Sequence, residues 1–124
     1  MAESTSEKLV VFATHGEKDA EMATLPWVVA NAALAMDVPT TMILQGEGVT
    51  LVQKGCYEHI AAAGFDPLGK LVHSFLEFGG SILVCIPCLQ ARTIQHEMLV
   101  EGTQLIKAAR VVQEVMEAKS VVNY

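Results

Sequence analysis

Ser81-Ile-Leu-Val-Cys-Ile-Pro-Cys88 is the stretch that decides how this chain folds. Ile82 to Ile86 is an unbroken apolar, β-rich run, the mark of a strand buried on both faces. Pro87 follows at once. Its fixed φ and missing N–H suit the opening turn of a helix, so a helix is expected from Pro87 through Arg92. Upstream, Leu68, Leu71, Val72, Phe75 and Leu76 recur at helical spacing over 67–78, and Gly79-Gly80 stops that helix.

The same alternation extends in both directions. Lys8 to Thr14 reads as a buried strand ending at His15-Gly16, and Pro39 to Gln45 as a second one ending in Gly46-Glu-Gly48. Good helix formers fill Asp19 to Asp37, with the regular helix expected to start at Pro26. Val49 to Lys54 reads as one or two helical turns. Thr103 to Lys107 and Lys119 to Tyr124 are short strand candidates on either side of a helix from Ala108 to Ala118. Strand and helix taking turns require crossover connections. They imply an α/β fold with a mostly parallel sheet covered on both faces. Chemistry in such sheets collects at the carboxyl ends of the strands. Those ends hold His15 to Lys18, Gln45 to Gly48, and Cys85 with the start of the next helix.

Composition narrows the function. The chain has 124 residues, room for one domain, expected over 8–124 behind a loose polar tail at 1–7. Eight basic and fourteen acidic residues leave a net charge of −6. That balance argues against a phosphate-backbone binder and against an anionic membrane surface, so no nucleic acid and no membrane is expected as partner. The polar, acidic first residues are unlike a signal peptide, which points to the cytoplasm. Three cysteines in a reducing compartment read as thiols. A mean hydropathy of +0.38 is high for a small monomer and points to self-association.

Cys85 and Cys88 carry the chemistry. A strand end meeting a helix start puts both thiols near free N–H groups and the positive end of the helix, a setting that lowers a thiol pKa. Arg92, about one turn on, is a candidate for adding positive charge near the sulfur, with a solvated helix residue as the alternative. Four chemistries fit: a dithiol redox pair, a persulfide carrier, a metal site, and an acyl-transfer nucleophile. The metal site lacks two ligands, and the nucleophile has only His15 or His96 as a base. Neither a metal nor another cofactor is expected. Packing alone is the competing explanation, because free cysteine is often buried. His15, at the active edge, is a candidate for holding or protonating a sulfur group. Cys56, His59, His73 and His96 read as structural, Glu17 and Lys18 as solvated charges, and Gly46-Glu-Gly48 as a turn.

Taken together, "GEGVTLVQKGCYEHI" (46–60), "FGGSILVCIPCLQARTI" (78–94) and "AARVVQEVMEAKSVVNY" (108–124) resemble the DsrE/DsrF-like family, which includes sulfur-relay subunits and a predicted peroxiredoxin-like branch. The resemblance implies a three-layer α/β/α fold with a parallel sheet of about five strands. It implies a homo-oligomer, with a trimer favoured. It also implies a sulfur carrier or sulfurtransferase that holds sulfane sulfur as a persulfide on Cys85. The partner implied is a TusA-like sulfur carrier protein or another sulfurtransferase. Cys85, Arg92 and Ile94 match the family pattern. Cys88 departs from the sulfur-relay subunits and resembles the peroxiredoxin-like branch, and Thr93 stands where glycine is common. A dithiol oxidoreductase or redox sensor using Cys85 and Cys88 is the alternative, and a non-catalytic interaction subunit the second alternative.

Overall fold

The computed structural model describes residues 7–124. The tail expected over 1–7 falls outside the described residues except for Glu7. Five strands form one sheet: β1 (Leu9–Ala13), β2 (Thr40–Leu44), β3 (Ser81–Cys85), β4 (Thr103–Ile106) and β5 (Ser120–Asn123). Their spatial order is β4-β3-β2-β1-β5, and every pairing is parallel. The register aligns Ala13 with Leu44, Leu44 with Val84, and Cys85 with Ile106. One edge of the sheet therefore collects the carboxyl ends of β1 to β4.

Four helices connect the strands: α1 (Ala20–Ala35), α2 (Leu68–Glu77), α3 (Ile86–Ala91) and α4 (Ala108–Glu117). Alternation along each strand sorts the core into two clusters. Val11, Met42, Ile82 and Val84 face α1 and α2, whose Trp27 and Phe75 meet edge-on at 5.6 Å. Val10, Phe12, Ile43 and Leu83 face the opposite way, toward Val111 and Val115 of α4. Helices on both faces of a parallel sheet make the three-layer α/β/α arrangement expected from the sequence. The aromatic pair couples α1 to α2. Truncating Phe75 removes that contact and opens a cavity, a loss of about 3–5 kcal/mol.

Two local expectations are corrected. The first helix does not start at Pro26. It starts at Ala20, where the Asp19 carboxylate accepts from the Met22 N–H at 3.1 Å, and it runs through Pro26. The cap and the good helix formers before Pro26 carry the chain into the helix, and the buried proline ring sits beside fully buried Trp27. Packing there outweighs one missing backbone hydrogen bond. Second, the turns expected over 49–54 form a 3-10 run over Gly46–Val52, which absorbs the supposed Gly46-Glu-Gly48 turn. Gly48 makes that path possible, because a Cβ there would stand 1.9 Å from the Ala13 carbonyl oxygen. The glycine lets the segment lie directly on the end of β1.

Candidate functional site

β3 ends on Cys85, and α3 begins at the next residue. Cys85 is the N-cap of α3, and Cys88 is its third residue, with Pro87 second rather than first. Both thiols are half-buried and free. Residues three apart across a helix start have side chains on one face, so the two sulfurs are neighbours. The loop after β2 meets them from the side. Gly46, held at φ +57, donates its N–H to Cys88 Sγ at 3.3 Å.

Arg92 closes α3. Its Nη1–H donates to the Cys88 carbonyl at 3.1 Å, and its Nε stands 3.7 Å from the Glu47 carboxylate. Thr93 and Ile94 complete the helix end: the Thr93 N–H reaches the Gln90 carbonyl and the Ile94 N–H the Leu89 carbonyl. That is the Schellman arrangement, with Thr93 in the left-handed region at φ 55 and Ile94 packed in the core with Leu89.

The electrostatics of Cys85 differ from the sequence-based expectation. Burial pushes its thiol up, and the hydrogen bond to the Cys88 side chain pushes the same way. The Cys88 N–H and the Arg92 charge pull down more weakly. That N–H approaches the Cys85 sulfur without closing a well-formed capping hydrogen bond. Desolvation therefore outweighs the helix terminus and holds the Cys85 thiol above its ordinary pKa.

The remaining candidates are spread along the same edge. His15 is half-buried at the end of β1, two strands from Cys85, a lateral distance of about 10 Å. Its Nδ1 is buried without a hydrogen-bond partner, and no hydrogen bond joins it to either cysteine among the described residues. Cys56 opens onto a small cleft of about 100 Å³ lined by Gly16, Glu17, Lys18, Glu47 and Thr50. Burial and the charges of Glu17, Glu58 and Glu47 raise its thiol pKa, against the Thr50 hydroxyl. His73 accepts or donates a 2.9 Å hydrogen bond with the Tyr57 hydroxyl, which ties the segment around Cys56 to α2. Gly46 and Glu47 are the residues that sequence reasoning missed. Neither has a chemical signature by itself, and only the parallel pairing of β2 with β3 brings them to the cysteines.

Among the described residues, no three His, Cys, Asp or Glu side chains stand together as a metal-binding group. No helix among them is long and apolar enough to cross a membrane. The arrangement offers two adjacent thiols with a backbone donor on one of them, a set suited to attack on sulfur.

The DsrE/DsrF-like family model matches residues 7–124, which includes every element described above. The chain belongs to the DsrE/DsrF-like family. An uncharacterized protein of Methanocaldococcus jannaschii is 31% identical over 102 residues, covering 82% of this chain and 37% of that protein. The chain thus spans little more than a third of the length of this curated relative. Among solved structures, the ychN protein from E. coli superposes with a TM-score of 0.81 at 16% identity, covering 95% of this chain and 99% of that one. A protein of unknown function from Methanobacterium thermoautotrophicum superposes with a TM-score of 0.69 at 13% identity, covering 94% and 99%. At these identities the likeness is one of fold. It places the DsrE-like sheet and its helices in the same arrangement across the three chains.

Proposed function

We propose that this DsrE-like chain is a sulfur carrier or sulfurtransferase of sulfur metabolism. Cys85 takes sulfane sulfur as a persulfide and passes it to or from a small TusA-like carrier or another sulfurtransferase. The observation that carries this reading is the Cys85–Cys88 pair at the carboxyl end of β3, half-buried, with the Gly46 N–H on Cys88 Sγ. Membership in a family with sulfur-relay components supports it. The elementary step is thiolate attack on a sulfur atom, which needs a nucleophile and a shielded pocket but no metal. Arg92 keeps positive charge beside Cys85 while fixing the turn that carries Cys88.

A homo-oligomer, with a trimer favoured, belongs to the same proposal. Met36, Phe78, Val112 and Met116 are large apolar side chains left exposed, and self-association gives them cover. A cytoplasmic location is part of the reading, since a reducing compartment keeps Cys85 and Cys88 as the free thiols that sulfur loading needs.

Intact-protein mass spectrometry after exposure to polysulfide tests the assignment. Wild type gains whole sulfur atoms that a reductant removes, Cys85→Ser gains none, and Cys56→Ser behaves as wild type. Full loading in Cys85→Ser would overturn the assignment. The contact between Cys85 and Cys88 also favours a second reading, a dithiol oxidoreductase or redox sensor. It predicts the loss of two hydrogens with no sulfur gained, equally dependent on both cysteines.

A further inference from the structure

The opposite edge of the sheet carries a second concave feature. Register sets Thr41 beside Val10 and Ser81, and Gln104 beside Leu83, all on the face that α4 crosses. Val111 and Val115 cover part of that face. The rest is a cleft of about 280 Å³ between α4 and the amino halves of β2, β3 and β4. Thr41, Ser81, Leu83 and Gln104 form its floor, and Arg110 and Glu114 of α4 its wall. Ser81 stands four residues before Cys85 on β3, so this floor lies about 13 Å from the thiols.

Two groups in the cleft have hydrogen-bonding capacity that the protein does not use. Thr41 is 6% exposed, and its hydroxyl makes no hydrogen bond among the described residues. The other buried threonines, Thr24, Thr40 and Thr103, all donate to backbone carbonyls. Buried hydroxyls are normally paired in this way, so Thr41 is the exception. Arg110 donates Nε–H to Glu114 Oε2 at 2.8 Å, and Lys8 takes Glu114 Oε1 at 2.8 Å. Both carboxylate oxygens are thereby engaged, and the Nη edge of Arg110 makes no hydrogen bond among the described residues.

We propose that this cleft binds a small organic monocarboxylate with a polar body, at a site independent of the cysteine pair. The Nη edge of Arg110 takes the carboxylate through two parallel N–H···O bonds, which its planar guanidinium is shaped to make. Glu114 fixes that guanidinium by holding Nε, and its own charge disfavours a second negative group on the ligand. The Thr41 hydroxyl finds its partner on the ligand body. Ser81 and Gln104, both exposed, offer donors and acceptors to hydroxyl or amide groups, and Leu83 offers an apolar floor to a short aliphatic chain. The volume equals that of roughly nine waters at about 30 Å³ each, room for a ligand of about ten non-hydrogen atoms. Nothing in this assignment depends on sulfur transfer at Cys85.

Saturation-transfer NMR of the full-length protein with millimolar lactate, N-acetylglycine and N-acetylglutamine tests the site, with the matching neutral amides as controls. At least one carboxylate binds wild type, and its amide does not. Arg110→Gln weakens that binding at least about tenfold. Thr41→Val is the sharper variant, because it replaces an unpaired hydroxyl with a methyl group of the same size. Its Tm stays level or rises, whereas its binding weakens about threefold to tenfold through the lost hydrogen bond. Cys85→Ser binds as wild type does. Binding of none of the three carboxylates overturns the proposal. So does binding that Arg110→Gln and Thr41→Val both leave unchanged, or binding lost in Cys85→Ser, which would move the ligand to the cysteine edge. Amides that bind as well as the acids overturn the carboxylate assignment.

Discussion

Arg92 Nε stands 3.7 Å from a Glu47 carboxylate oxygen, so the segment after β2 and the last turn of α3 are clasped together across the end of the sheet. The ion pair itself is exposed on the Glu47 side and contributes about 0–1 kcal/mol. Its value is positional, because the same guanidinium donates to the Cys88 carbonyl. Arg92→Ala removes that hydrogen bond and the positive charge beside Cys85. The variant loses about 1 kcal/mol in urea unfolding. Alkylation of Cys85 by iodoacetamide at pH 7 slows, because loss of the Arg92 charge lets the thiol pKa rise further. Unchanged Cys85 reactivity would show that the Arg92 charge does not reach the sulfur.

Gly48 lies so close to the end of β1 that a methyl group has no place beside it. The obstacle is the Ala13 backbone, which cannot swing aside as a side chain does. Gly48→Ala is expected to lose about 3 kcal/mol or more, and to displace the Gly46 N–H from Cys88 as the 3-10 run lifts. Gly55→Ala supplies the contrast. A Cβ there meets nothing within 4 Å, and the variant suffers only the strain of a positive φ, about 1 kcal/mol. Thermal melts of the two variants side by side distinguish contact from strain.

The fold is legible in the sequence because each of the three central strands, β1 to β3, is a short apolar run closed by a glycine, a proline or a polar turn, and buried parallel strands leave that pattern. Leu9–Ala13, Thr40–Leu44 and Ser81–Cys85 all fall within the stretches read from the sequence. Two helix starts depart from the sequence expectation for local reasons. Pro26 signals a helix start but is held mid-helix by the packing around Trp27, and Pro87 is second rather than first. The cysteine pair is visible as candidate chemistry through its place at a strand end. Its environment is not, because desolvation of Cys85 and the Gly46 donor arise from chain segments some forty residues apart in sequence. The helix dipole alone points the wrong way for Cys85, since burial opposes it and wins.

Thr93 occupies the residue after the C-cap of α3 with φ 55, where a β-branched side chain is strained and glycine is at ease. Thr93→Gly relieves the strain but adds freedom to the unfolded chain, so a net gain of about 0.5–1 kcal/mol is expected, read as a higher Tm. Ile94, at the next position, fills the core contact with Leu89 that seals the helix end. Ile94→Ala is therefore expected to lose about 2–4 kcal/mol, with the two variants moving Tm in opposite directions.

Glu114 is buried in the face of α4 that meets the sheet, and it takes Lys8 Nζ at 2.8 Å and Arg110 Nε at 2.8 Å. Burial raises its carboxyl pKa, but the hydrogen bonds and charges of Lys8 and Arg110 outweigh it and hold the value below the ordinary one. A folded-state pKa below the unfolded value, about 4.3 for glutamate, stabilises the protein fully above that value. The contribution is lost as pH falls through the folded pKa. Glu114→Gln keeps the shape, leaves the two cations without their anion, and is expected to lose about 1–3 kcal/mol at pH 7. The difference between wild type and variant then narrows as pH drops below about 4, because the wild-type carboxyl is neutral there too. Urea titrations of both proteins from pH 3 to 7 check the claim, and stability curves that stay parallel over that range would refute it.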